Sequence, residues 1–160
     1  MAQKILSDMT ETELLQLQAS VINELKARGV VRTKNNPLGD YTEWLVAKSL
    51  GLELANNSAA GYDATDSDGI RYQIKGRRVT PENPSRQLGA IRNLDEKDFD
   101  FLAAVVFDEH YSILDAVIVP HELVGEYGSY RKHVNAHVLH LRGAILDDVR
   151  VKDFREQIVV

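Results

Sequence analysis

Residues 101–107 read Phe-Leu-Ala-Ala-Val-Val-Phe, with no polar side chain among them. Seven residues is a strand's length rather than a helix's, and a strand without polar alternation is one buried on both faces. It must lie inside a sheet covered on either side, so the chain around it folds in layers. With 160 residues, no internal repeat and only four scattered Pro, the expectation is one domain spanning residues 1–160.

The flanking segments supply the layers. Thr10-Glu11-Thr12-Glu13 has capping-box spacing and leads into Leu14, Leu17, Val21 and Leu25 at helical intervals, closed by Lys26, Arg28 and Gly29. This predicts an N-terminal helix over 10–28. Asn36 as cap, Pro37 in the first turn and Gly51 as stop predict a second helix from Pro37 to Leu50. Strands are expected at 52–55, 62–65, 70–77, 101–107 and 111–119, with Asp66-Ser67-Asp68-Gly69 turning the second into the third. Short helices are expected over 85–94 and from Pro120 to about Tyr127. Residues 137–142 are weakly strand-like, and 151–158 read as a terminal helix. The fold class is α/β (α+β): a central mixed sheet of about five strands flanked by helices, with a core over about 36–119 and an extension over 120–160.

Charge narrows the function classes. Nineteen Lys and Arg against 24 Asp and Glu leave a net charge of −5, which argues against coating nucleic acid or anionic membrane indiscriminately. Zero Cys excludes disulfides, thiolate metal sites and a cysteine nucleophile. No apolar run reaches membrane-span length and no secretory signal opens the chain, so no membrane partner and a cytoplasmic location are expected. Asn56-Asn57-Ser58 matches a glycosylation acceptor and, without that signal, reads as chance. One region departs from the acidic average: residues 71–92 carry six basic residues and one acid, a local charge of +5. A basic segment on an acidic protein suits a local phosphate-directed site.

Strand alternation from residue 70 puts Ile74 on one face and Gln73, Lys75 and Arg77 on the other. A hairpin turning at Asp66 to Gly69 would bring Asp63 to the Gln73-Ile74-Lys75 segment. In the second helix Glu43 is surrounded at helical spacing by Gly39, Val46, Ala47 and Leu50. A carboxylate on that stripe calls for a cation, a hydrogen bond or a metal.

Glu43 on a helix, then Gly61-Tyr62-Asp63, a turn, and Gln73-Ile74-Lys75 on the next strand resemble the PD-(D/E)xK nuclease superfamily, in the Gln-x-Lys form of Mrr-type restriction enzymes. The resemblance covers about residues 36 to 119 in the order of helix, three strands, helix and two strands. It implies a restriction-endonuclease-like fold and a metal-dependent nuclease hydrolysing DNA phosphodiester bonds. Glu43, Asp63, Gln73 and Lys75 would be catalytic, with Lys75 orienting or helping to deprotonate the attacking water. Two positions depart from the pattern: Tyr62 stands where Pro is usual, and Gln73 replaces the usual acid, removing one anionic ligand. Magnesium or manganese prefers oxygen donors and keeps its waters. Asp63, the Gln73 side-chain oxygen, a backbone carbonyl near Ile74 and Glu43 through water would make a partial shell. Arg77, Arg78, Arg86 and Arg92 are candidate phosphate contacts, and cutting two strands favours a homodimer.

Other signals carry less. Asp66, Asp68 and Gly69 fall at calcium-loop offsets, but Ala64 and Lys75 occupy positions one and twelve, which excludes an EF-hand. His133, His137 and His140 could share a helix face as zinc ligands but lack an adjoining carboxylate motif; with Arg131 and Lys132 they read as a surface segment that helps touch nucleic acid. No phosphate-binding glycine loop or hydrolase elbow occurs. The competing reading is a non-catalytic nucleic-acid-binding or assembly subunit that keeps the fold with a weakened metal site, and a purely structural partner protein is a third.

Overall fold

A computed structural model describes residues 6–56 and 61–159. The Asn56–Ser58 acceptor extends into residues outside the described set. The chain divides into two compact units, with the boundary between Tyr41 and Thr42.

In the first unit, helix α1 spans Glu11–Ala27. Its start is the expected capping box: Thr10 N donates to Glu13 Oε2 at 2.7 Å, and Glu13 N donates to Thr10 Oγ1 at 3.3 Å. Arg28 N donates to the Glu24 carbonyl, and Gly29 at φ +72° ends the helix where a left-handed residue is needed. No residue of α1 is buried. Asn36 Oδ1 accepts Leu38 N at 3.0 Å at the start of helix α2, Leu38–Leu50. Asp40 has a local task there, its Oδ2 accepting the N–H groups of Arg32 and Thr33 at 2.9 Å each.

The second unit is built on a six-stranded sheet, in the order β1 (Glu53–Leu54), β2 (Ala64–Thr65), β3 (Arg71–Arg78), β4 (Phe101–Phe107), β5 (Ile113–Pro120) and β8 (Lys152–Asp153). Only β3 and β4 run parallel; the other neighbours are antiparallel. The β2–β3 turn forms as expected, with Gly69 N donating to the Asp66 carbonyl and Asp66 Oδ1 accepting from Asp68 N and Ile70 N. β4 occupies the predicted residues, and all of it after Phe101 is buried. On one face Leu102, Ala104 and Val106 join a core with Val117, Val119 and helix α3 (His121–Tyr127). On the other face, Thr42 of α2 meets the sheet at Gly76. Helix α4 is one turn, Ala144–Asp147. A separate ribbon pairs β6 (Ser129–Arg131) with β7 (Ala136–Val138). Among the described residues, no helix is long and apolar enough to cross a membrane.

Three expectations are corrected. Residues 85–94 are extended rather than helical: Leu88 N and the Ile91 backbone pair with Leu139 and His137, and Asn93 is left-handed at φ 53°. Leu88, Ile91 and Leu94 mimic a helical stripe because all three enter the core from this loop. The terminal helix is absent. Lys152 and Asp153 pair with β5, burying Phe154, and only a 3-10 turn at Arg155–Gln157 follows. His133, His137 and His140 share no helix face, lying on a 3-10 turn, on β7 and at an isolated bridge to Gln87. The mixed sheet is also one strand wider than the expected five, the addition being β8.

Candidate active site

The site is built outward from β3. Ala64 stands opposite Tyr72, so Asp63 continues the pairing beside Gln73, and Asp63 N donates to the Tyr72 carbonyl at 2.8 Å. The Asp63 side chain then turns along β3, where its Oδ2 accepts the Ile74 N–H at 2.7 Å. That bond holds the carboxylate level with the backbone between Gln73 and Lys75.

Gln73 and Lys75 share a face of β3, paired with Leu102 and Ala104 of β4. This is the face covered by the 86–94 loop. Lys75 Nζ donates to the Ala90 carbonyl at 3.2 Å. Burial pulls the ammonium below the usual lysine range; Asp63 and Glu43 oppose the shift, and Arg92 adds to it. Asp63, Arg92 and Glu43 thus lie within electrostatic range of one amine. Gln73 Oε1 is buried and accepts no hydrogen bond among the described residues, an unusual state for an amide oxygen.

Helix α2 approaches β3 closely on the opposite face, at Gly76, and Glu43 is linked to Lys75 by a long-range electrostatic influence. A Cβ at Gly76 would collide with Thr42 Oγ1, so only glycine lets the helix settle at this depth, one residue before Glu43. Leu45 and Val46 are fully buried, and Glu43 sits half-buried at their border. The Gly76–Thr42 contact was not anticipated from sequence, although a glycine inside a strand is the signal for such an approach.

The four arginines separate. Arg77 donates from Nε to the Ser85 carbonyl at 2.7 Å and from Nη2 to Asn83 Oδ1 at 3.1 Å. Arg78 holds the Glu109 carbonyl through Nε and Nη2 and lies over the Tyr111 ring. Arg86 is ion-paired with Asp115 of β5, both side chains mostly covered. These three are engaged within the protein. Arg92 is exposed and close enough to Lys75 to affect its charge.

The donor set suits a hard divalent cation in kind: one carboxylate fixed by a backbone N–H and one buried amide oxygen without a hydrogen bond. Among the described residues no three histidine or acidic side chains gather into a ligand group, so any ion here would draw on Gln73, backbone carbonyls and water. No family model matches the chain, and no curated protein matches it.

Proposed function

We propose that this protein is a metal-dependent endonuclease of restriction-endonuclease-like fold, hydrolysing DNA phosphodiester bonds. The observation that carries the reading is the Asp63 carboxylate held on the Ile74 N–H between Gln73, whose side-chain oxygen is buried, and Lys75, whose amine donates to the Ala90 carbonyl. Asp63 and Gln73 would hold magnesium or manganese, with Glu43 acting through water. When bound, the ion supplies charge neutralisation at the phosphate and lowers the pKa of water.

The protein's own groups account for the rest. Lys75, with a proton affinity reduced by burial, takes or orients a proton of the attacking water at Nζ. The Ala90 carbonyl fixes that nitrogen by accepting from it. Arg92 meets the scissile phosphate with a charge that cannot be lost. The 86–94 loop over Lys75 limits the water around the amine. Paired cuts on two strands call for a homodimer.

The test is calorimetric titration of manganese(II) into wild type and Asp63→Asn, followed by cleavage of plasmid DNA by wild type and Lys75→Ala. Heat in wild type that disappears in Asp63→Asn, with cleavage lost in Lys75→Ala, is the expected outcome. The absence of a three-ligand cluster among the described residues favours the second reading, a non-catalytic nucleic-acid-binding or assembly subunit. Salt-sensitive DNA binding with neither manganese heat nor cleavage would establish it in place of the nuclease.

A further inference from the structure

We propose that the β6–β7 ribbon is the element that grips duplex DNA, laying its basic turn into a groove beside the Lys75 site; this rests on the nuclease reading of that site. Residues 129–135 are all exposed, although Ala136 and Val138 anchor the ribbon in the interior. The strands pair Ser129 with Val138, Tyr130 with His137 and Arg131 with Ala136. A 3-10 turn over Lys132–Val134 and left-handed Asn135 close it, and Tyr130 Oη donates to Asn135 Oδ1 at 2.7 Å. The turn is therefore a fixed shape.

Arg131, Lys132 and His133 present three successive basic side chains there, and none makes a side-chain hydrogen bond or ion pair among the described residues. This is the reverse of Arg77, Arg78 and Arg86, whose guanidinium groups are engaged within the protein. Asp95 and Glu96 line a hollow with Tyr130, Asn135 and His137, an acidic flank from which a polyanion is repelled.

The ribbon is tied to the candidate site through one short run of backbone. Ile91 and His137 exchange both N–H···O=C bonds, at 2.9 and 2.8 Å, and the neighbouring Ala90 carbonyl is the acceptor for Lys75 Nζ. In that antiparallel register Arg92 falls level with Ala136, itself opposite Arg131. Arg92 and Arg131 thus lie about two strand spacings apart, roughly 10 Å. The major groove of B-DNA, about 12 Å wide, admits a two-stranded ribbon. Cations at its turn then reach the flanking phosphates while Arg92 meets the backbone at the site.

The test is binding of a fluorescent DNA duplex in chelator, over a salt series, by wild type, the double variant Arg131→Ala/Lys132→Ala, and Lys152→Ala, which removes an exposed cation from the far edge of the sheet. The double variant is expected to bind on the order of tenfold or more weakly at low salt, with a log–log salt slope shallower by about 1.8, two phosphate contacts' worth. Lys152→Ala and manganese titration of the double variant should match wild type. Equal slopes for wild type and double variant would overturn the ribbon proposal and leave the nuclease reading standing. Displacement by single-stranded DNA or RNA in preference to duplex would also overturn it. Loss of duplex binding in the double variant of a protein that gives no manganese heat would support the ribbon and sink the nuclease. Wild type that binds no duplex would overturn both.

Discussion

The Asp63 carboxylate is fixed by the backbone of Ile74, whose N–H donates to Oδ2 at 2.7 Å. The same side chain therefore has two duties, closing the edge of the hairpin and holding a negative charge within electrostatic range of Lys75. Substitution separates them. Asp63→Asn keeps an acceptor for Ile74 and should fold with near wild-type stability. Asp63→Ala leaves the Ile74 N–H without its partner beside a buried residue, at a cost of about 1–3 kcal/mol. Urea denaturation of both variants measures the difference, and equal midpoints would show that the bond contributes nothing.

Lys75 gives stability a pH dependence of definite sign. Its folded pKa lies below the ordinary value of 10.5, chiefly through burial. Between those two values the unfolded chain binds more protons than the folded one, so stability rises with pH through the window. The folded protein carries the cost of a buried ammonium at neutral pH and is relieved of it as pH climbs toward 10.5. Wild type should therefore gain stability over this range relative to Lys75→Met, which has no amine to lose. Denaturation midpoints of the pair across the alkaline range check this, and a constant difference would contradict it.

The depth at which α2 meets β3 is set by Gly76 and Thr42. Gly76→Ala forces a methyl into Thr42 Oγ1 and is expected to cost about 1–3 kcal/mol by overpacking. Adding Thr42→Ala removes the worst contact and should recover part of that loss. A double-mutant cycle with no coupling between the two positions would show that the helix does not rest on this pair.

Arg86 illustrates how a basic residue in a basic segment can serve the fold. Its guanidinium pairs with Asp115, with side-chain exposures of 27% and 20%. Arg86→Ala strands a largely covered carboxylate and should lower stability by about 1–3 kcal/mol, while DNA affinity changes little. Arg92→Ala should do the opposite, weakening binding at unchanged stability. Thermal melts and duplex titrations of the two variants separate these behaviours, and a swapped result would reverse the assignment.

The parts legible in the sequence are those whose cause is local. The capping box of Thr10 and Glu13 and the Asp66–Gly69 turn are completed by residues within a few positions. The 101–107 strand declares its double burial in its own composition. The approach of Asp63 to Ile74 and Lys75 follows from hairpin register alone. What stayed hidden depends on distant partners. Leu88, Ile91 and Leu94 have a helix's spacing, but their backbone is claimed by residues 137–141. β8 exists only because β5 offers it an unpaired edge. Likewise Arg78 and Arg86 look like phosphate ligands until Glu109 and Asp115 are found beside them.

Asp63 precedes a strand of two residues, which is followed outward in the sheet only by another of two, whereas Lys75 lies within an eight-residue strand paired along its length with β4. The two halves of the candidate site therefore belong to regions of different local stability. Amides of β3 and β4 should exchange with solvent only on global unfolding, while those of β1 and β2 escape by fraying. Withdrawal of the carboxylate would dismantle the candidate site with the core intact, and re-pairing of four edge residues would rebuild it.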